Sequence, residues 1–261
     1  MNLNFYKKIL KKKLSKFIKK GDTIYVESDL TSFNQIFKKC NSKQQFLDFF
    51  YKLFTSLIGK KGTIIVPSFS YSWGDNKKQK IFDLDKSLPK TGIFPLHLKN
   101  KKNVYRTIDP MFSCLIHGNK DNYFLTIKNN TFGTDSIFEK LLTNDAKLIS
   151  FGLKRFDPTF VHYVEQFFDQ NIKKINYRYL KKIKGTIVNQ NKKYTDNFLT
   201  FLKNRKYNKF FFEERIKKDL FRNKKLKEIN FFDAKIFIVG SKDFFYTGIK
   251  GMKKNVHYFI N

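Results

Sequence analysis

Thr23-Ile24-Tyr25-Val26-Glu27-Ser28-Asp29 and Gly62-Thr63-Ile64-Ile65-Val66-Pro67 are the two stretches on which the fold turns. Each is a short apolar run closed by polar residues or proline, the pattern of a strand buried on both faces. Between them, Ser42 and Gln45 form a capping-box pattern, and Phe46, Leu47, Phe50, Leu53, Phe54, Leu57 and Ile58 recur at helical spacing. Gly59 ends that helix. Strand, helix and strand with short joints make a βαβ unit, which implies parallel pairing. Ligands of such sheets sit beyond the carboxyl ends of the strands. Here those ends are Glu27-Ser28-Asp29 and Pro67-Ser68-Phe69-Ser70.

Outward from this unit, Phe5, Ile9, Leu10, Leu14, Phe17 and Ile18 line one face of a lysine-rich helix that stops at Gly21. Residues 71–112 have little periodicity and read as long loops over one face, with a short helix near Gly92 to Leu98. Leu115 and Ile116 lie in a short strand. Thr134 caps a helix of Ile137, Phe138, Leu141 and Leu142, and Lys147 to Phe151 is a strand ending at Gly152. Asp157-Pro158 opens another helix, a capping carboxylate followed by proline. From Tyr177 to Tyr194 the pattern suits strands around an Asn-rich turn. Glu213 to Lys227 reads as an exposed helix, and Ala234 to Gly240 as a late strand before a short basic helix. The expectation is α/β: a mixed, mainly parallel central sheet flanked by helices, with long loops over the cleft. It forms one domain over 1–261, with a helix at 1–20, a core over about 21–180 and completion of the sheet over about 181–261.

The chain carries 53 Lys and Arg against 22 Asp and Glu, a net charge of +31. Nucleic-acid binding is the obvious reading of such a charge, but two details oppose it. Six arginines, at 106, 155, 178, 205, 215 and 222, are few for base-edge or bidentate phosphate recognition. The lysines are scattered in pairs, such as Lys38-Lys39, Lys101-Lys102 and Lys253-Lys254, and form no single stripe. Lys, Asn, Phe, Ile and Tyr abound together, which points to compositional bias. Hydrophobic residues make up 41%, enough for a packed core, so the chain is not a disordered polycation. No run approaches the roughly 18–20 apolar residues of a membrane span, and the basic start lacks a signal peptide's apolar stretch. Cys40 and Cys114 are too few for a disulfide framework or a zinc site. The reading is a soluble, cytoplasmic protein without metal.

Thr159-Phe160-Val161-His162-Tyr163-Val164-Glu165-Gln166 carries the chemistry. Residues three apart share a helix face, and a carboxylate beside an imidazole fixes its tautomer and stabilises the imidazolium. His162 and Glu165 are therefore candidates for a general base and its partner. Cys114 is the alternative, as an acyl-accepting nucleophile. His97, His117 and His257 read as structural or solvated. Trp73 is a candidate to stack on a sugar or an adenine, with packing as its other role.

Five blocks in sequence order resemble the aminoglycoside 3-N-acetyltransferase family. Val26-Glu27-Ser28-Asp29-Leu30-Thr31-Ser32 is similar to its Val-His-Ser-Ser-Leu-Ser-Ser turn. Gly62 to Ser70 is similar to its Gly-Thr-Leu-Val-Met-Pro-Thr-Phe-Ser strand. Arg106-Thr107-Ile108-Asp109-Pro110-Met111-Phe112-Ser113 resembles its Arg-Ser-x-His-Pro-x-His-Ser loop. Phe132 to Ser136 corresponds to its Gly-x-x-Ser-Pro cap, and Phe160 to Glu165 to its Ala-Leu-His-x-x-Glu helix.

The resemblance implies acetyl transfer from acetyl-CoA to an amine, with His162 and Glu165 catalytic. It implies coenzyme contacts from Ser28, Asp29, Ser68, Arg106 and Ser113; the oxyanion of such a transfer needs fixed donors, backbone N–H groups or a hydroxyl near Ser68 or Ser113. The family's first-turn histidine is Glu27 here, and its two loop histidines are Asp109 and Phe112. The Ser28-Asp29 turn, the Phe-Ser loop and Tyr177-Arg178-Tyr179 look more like members that acylate amino sugars, often nucleotide-linked, in surface-glycan synthesis. The acceptor is a small amine, with no nucleic acid or integral membrane partner and a homodimer left open. Asp83, Asp109 and Trp73 are its candidate contacts. A cationic aminoglycoside would need Glu27, Asp29, Asp83, Asp85 and Asp109 gathered at the cleft. The rival class is a basic nucleic-acid- or membrane-binding protein on an inactive acyltransferase scaffold.

Overall fold

The computed structural model describes residues 2–207 and 210–261. Helix α1 (Leu3–Leu14) precedes strand β1 (Thr23–Ser28), a 3₁₀ turn (Leu30–Phe33), the short α2 (Asn34–Phe37) and the long α3 (Lys43–Ile58). Strand β2 (Thr63–Pro67) leads to β3 (Ile81–Asp83), α4 (Ile93–Leu98), β4 (Tyr105–Arg106) and β5 (Cys114–Gly118). Next come α5 (Asp121–Leu125), α6 (Ile137–Thr143), β6 (Lys147–Phe151) and α7 (Val161–Asn171). Strands β7 (Arg178–Asn189) and β8 (Lys192–Lys203) precede α8 (Glu214–Arg222), β9 (Lys227–Phe231), β10 (Ala234–Gly240) and α9 (Ser241–Lys254).

Seven strands form the main sheet in the order β4-β5-β2-β1-β6-β10-β9, and β3-β7-β8 form a smaller one. Strand β1 pairs in parallel with β2 on one side and β6 on the other. The sheet is mixed, as expected, but parallel pairing stops at these three central strands. Strands β4, β5, β10 and β9 join by antiparallel pairs. The reason is local: β9 and β10 are joined by a two-residue turn, which permits only antiparallel pairing.

Alternation along the strands builds the two faces. Tyr25, Ile65, Ile116, Leu148, Phe237 and Val239 pack beneath α6, α7, α8 and α9. Their neighbours Ile24, Val26, Ile64, Val66, Leu115, Ile149, Ile236 and Ile238 face α1, α3 and α4. Fully burying each such side chain contributes about 1.5–3 kcal/mol, so the alternation fixes the register of every strand. Helix α3 starts where its sequence says: Ser42 Oγ accepts from Gln45 N (3.1 Å) and Gln45 Oε1 from Asn41 N (2.6 Å).

The carboxyl ends of β1 and β6 are clasped together. Asp29 N donates to Phe151 O (2.9 Å) and Ser32 Oγ to Gly152 O (2.6 Å). Gly152 has φ +77°, and a Cβ there would lie 2.3 Å from Asp29 O, so only glycine lets the two turns close.

Three sequence expectations change. Ser136, not Thr134, caps α6, accepting from Glu139 N at 3.2 Å. The exposed helix ends at Arg222, and Lys227 begins the edge strand β9. Asp157 is exposed and does not cap α7. Among the described residues, no helix is long and apolar enough to cross a membrane.

Candidate active site

Helix α7 presents His162 and Glu165 on one face, with His162 Nδ1 2.9 Å from Glu165 Oε2. Arg178, at the start of β7, brings its Nε to 2.7 Å from the same oxygen and its Nη2 to 3.4 Å from His162 Nε2. The Glu165 side chain is 2% exposed and that of His162 21%, so the carboxylate is sealed and the imidazole reachable. Burial opposes ionisation of Glu165, but Arg178 and His162 together hold its carboxyl below the ordinary range. Burial, reinforced by Arg178, pushes His162 below its ordinary value, against the pull of Glu165. At neutral pH the imidazole is therefore neutral. With Nδ1–H assigned to the Glu165 carboxylate, Nε2 carries the lone pair. The Phe132 ring fixes the imidazole from the side, edge-on at 5.3 Å.

His162 lines a cavity of about 310 Å³ with Arg155, Asp157, Arg178 and Lys203. A larger cleft of about 480 Å³ lies beyond the ends of β1 and β2 and shares Arg155 and Asp157 with it. Glu27, Ser28 and Asp29 line this cleft among the apolar Val26, Val66, Pro67, Phe69 and Leu153. Asp29 also caps the 3₁₀ turn, accepting from Thr31 N (3.0 Å) and Thr31 Oγ1 (2.5 Å). Among the described residues, no cluster of three His, Cys, Asp or Glu is placed to hold a metal ion.

Other candidates lie elsewhere. Arg106 is buried, and its guanidinium donates to Ser113 Oγ (3.1 Å), Ser68 O (2.8 Å), Leu84 O (3.2 Å) and Ser87 O. Four of its donors are thus engaged inside the protein, which removes it from phosphate contact. Ser68 and Ser113 are fully buried and bonded to each other, Ser68 Oγ donating to Ser113 O (3.1 Å) and Ser113 Oγ to Ser68 O (2.9 Å). Neither hydroxyl is available to coenzyme or to an oxyanion.

Asp109 is 1% exposed, and its Oδ1 accepts from Met111 N and Phe112 N, both at 2.8 Å, so it shapes its own loop. Trp73 is fully buried between the small sheet and Met111, its Nε1 donating to Thr186 O (3.3 Å). It packs, and no ligand can stack on it. Asp83 Oδ1 accepts from Asp85 N (2.9 Å) and Lys86 N (2.8 Å) in a turn at the end of β3. The five acidic residues therefore do not gather: Glu27 and Asp29 reach the cleft, while Asp83, Asp85 and Asp109 do not. Burial pushes the Cys114 thiol far up, which leaves no thiolate for covalent catalysis. Arg178 and Glu27 complete the site: Arg178 reaches it from β7, and Glu27 from the end of β1, 132 residues before its partner Thr159.

The family model described as aminoglycoside 3-N-acetyltransferase matches residues 26–253. The chain belongs to this family of acetyl-CoA-dependent acyltransferases. A search of the curated proteins finds no match. Among solved structures, the chain is similar to aminoglycoside acetyltransferase AAC(3)-IVa as apoenzyme, at 18% identity and TM-score 0.73, covering 97% of this chain and 90% of that one. AAC-IIIb in a binary complex with CoASH shares 16% identity at TM-score 0.73, over 95% and 96% of the two chains. The YokD protein of Bacillus subtilis shares 15% at TM-score 0.72, over 94% and 99%. The co-substrate of this acyltransferase is acetyl-CoA.

Proposed function

We propose that the enzyme moves the acetyl group of acetyl-CoA onto an amino group of an aminated sugar by direct attack, with His162 as general base and Glu165 as its orienting partner. The observation that carries this reading is the cluster of His162, Glu165 and Arg178, in which a neutral imidazole lines a cavity adjoining the cleft at Ser28 and Asp29. Acetyl-CoA supplies an activated thioester. The apolar walls formed by Val26, Val66, Pro67 and Leu153 suit its pantetheine arm, and Lys154 on the rim suits a phosphate. An amine with pKa near about 8 is largely protonated at neutral pH and cannot attack until it loses a proton. His162 takes that proton at Nε2, while Glu165 holds Nδ1–H and stabilises the imidazolium. This is worth about 10²–10⁴-fold in rate. At 3.4 Å the Arg178 contact to Nε2 is weak, and an entering amine displaces it. The need for acetyl-CoA argues for action in the cytoplasm.

A second reading narrows the acceptor to a nucleotide-linked amino sugar. It is favoured by the scattering of the acidic residues and by Arg155, Arg178 and Lys203 around His162. Against it stands the sisomicin bound to AAC-VIa, a similar structure at 15% identity and TM-score 0.75 that covers 97% of this chain and 98% of that one. Thiol release from acetyl-CoA, measured with aminoglycosides and with nucleotide-linked amino sugars, separates the two. His162→Ala should lower turnover by about 10²–10⁴-fold with acetyl-CoA binding retained. Normal turnover in that variant ends the proposal.

A further inference from the structure

Glu27 stands at the end of β1, yet its carboxylate is bonded to the start of the helix that carries His162. Its Oε1 accepts from Thr159 N (3.0 Å) and Thr159 Oγ1 (2.5 Å), and its Oε2 lies 3.3 Å from the same N–H. Thr159 O in turn accepts from His162 N at 3.1 Å. A direct chain of hydrogen bonds thus runs from Glu27 through Thr159 to the backbone of His162. Helix α7 has no side-chain cap from its N-cap residue Phe160, and Glu27 instead holds Thr159, the residue just before that cap.

The groups facing this carboxyl are Tyr25 on its own strand, Tyr71 after β2, Cys114 on β5 and Asp157 before α7. Lys154 and Arg155 are the cations of the same cleft wall, and Arg155 is paired with Glu213. Burial pushes Glu27 up to about 7, with Asp157 adding and the Thr159 bonds opposing. Ionised, Glu27 makes charge-assisted bonds to both Thr159 donors; protonated, it keeps only a neutral acceptor oxygen, and those bonds weaken by about half.

We propose that Glu27 is a positioning residue: as a carboxylate it anchors the Thr159–His162 turn that leads into α7 and so aims His162, and its protonation loosens that turn and slows acyl transfer. The inference rests on His162 acting as base.

The test is kcat/KM against pH for the wild type, Glu27→Gln and Thr159→Val, using whichever amine the wild type acetylates. Two groups must lose protons for wild-type activity, Glu27 near 7 and His162 below its ordinary value. Its acid limb should therefore begin near pH 7 and steepen from about tenfold to about a hundredfold per pH unit. In Glu27→Gln the limb should move to lower pH and keep the tenfold slope of one proton. In Thr159→Val a donor to the ionised carboxyl is gone, so Glu27 should titrate higher and the limb should move up in pH. A purely structural role would lower activity equally at every pH. An unshifted limb in Glu27→Gln overturns the proposal. If that variant is inactive, an unshifted limb in Thr159→Val overturns it instead. Failure of the base assignment would appear separately, as normal turnover in His162→Ala.

Discussion

Arg178 touches both members of the catalytic pair, and its charge acts on them in opposite senses. It favours the Glu165 carboxylate and disfavours the His162 imidazolium. Arg178→Met should therefore raise the pKa of His162, read from the pH dependence of its ring-proton NMR signals. A value unchanged or lowered would mean that the Arg178 charge does not hold it down. Glu165→Gln removes the carboxylate that orients Nδ1–H, and turnover should fall by about a hundredfold or more in the same thiol-release assay. The pairing of His162 with Glu165 was legible because the helix places residues three apart on one face. Arg178 was not, because it lies on a strand whose pattern says nothing about which helix it meets. Glu27 was read as a departure from the family turn, but its partner Thr159 is 132 residues away. Trp73 and Arg106 misled because burial is not written in their local sequence: the small sheet covers Trp73, and the carbonyls of Ser68, Leu84 and Ser87 surround the Arg106 guanidinium.

At the scale of elements, Arg106 and Gly185 hold the small sheet and the 84–87 loop against the main sheet. Arg106→Ala should cost about 2–3 kcal/mol in urea unfolding, since it leaves several buried carbonyls without a charged donor. Acetyl-CoA affinity should change little in the fraction that stays folded, in contrast to a phosphate-binding arginine. A Cβ on Gly185 would lie 2.4 Å from Trp73 Cε2. Gly185→Ala should therefore destabilise the protein by about 1–3 kcal/mol through overpacking. Trp73 is the sole tryptophan, so a red shift of its fluorescence would report the displacement directly. The βαβ unit, the late strand, β7 and its turn into β8 were readable from period and punctuation, while β8 runs on to Lys203, nine residues past the stretch read as strands. Strand β9 was not: its turn into β10 places Phe232 at φ +52°, where a hairpin signal would show Gly, Asn or Asp. Its alternation of Lys227, Ile229 and Phe231 with Glu228 and Asn230 was masked by the charged helix before it.

For the whole molecule, the buried carboxyls set how stability varies with pH. Glu27 titrates at about 7 in the folded chain against an ordinary 4.5, so the folded state holds this proton more tightly. Its contribution is full below the unfolded value and is lost as pH rises through 7. Glu165 is held below its ordinary value, so its contribution is present above the unfolded value and lost as pH falls. Glu27→Gln should thus match the wild type in Tm at pH 4 and exceed it at pH 8, roughly the two sides of its titration. An equal change in Tm at both pH values would show that Glu27 does not titrate as a buried acid. The positioning role and this cost belong together: the carboxylate that aims His162 is ionised where the fold would prefer it neutral.

The edges of the main sheet carry a last consequence. One edge, β4, is only two residues long, and the other, β9, presents Lys227, Glu228 and Asn230 among its five residues. Short or charged edges discourage strand-to-strand pairing between chains. At a net charge of +31, two copies approaching edge to edge also repel one another. A lysine excess that says little about the ligand thus guards a phenylalanine-rich β-sheet protein against its own aggregation.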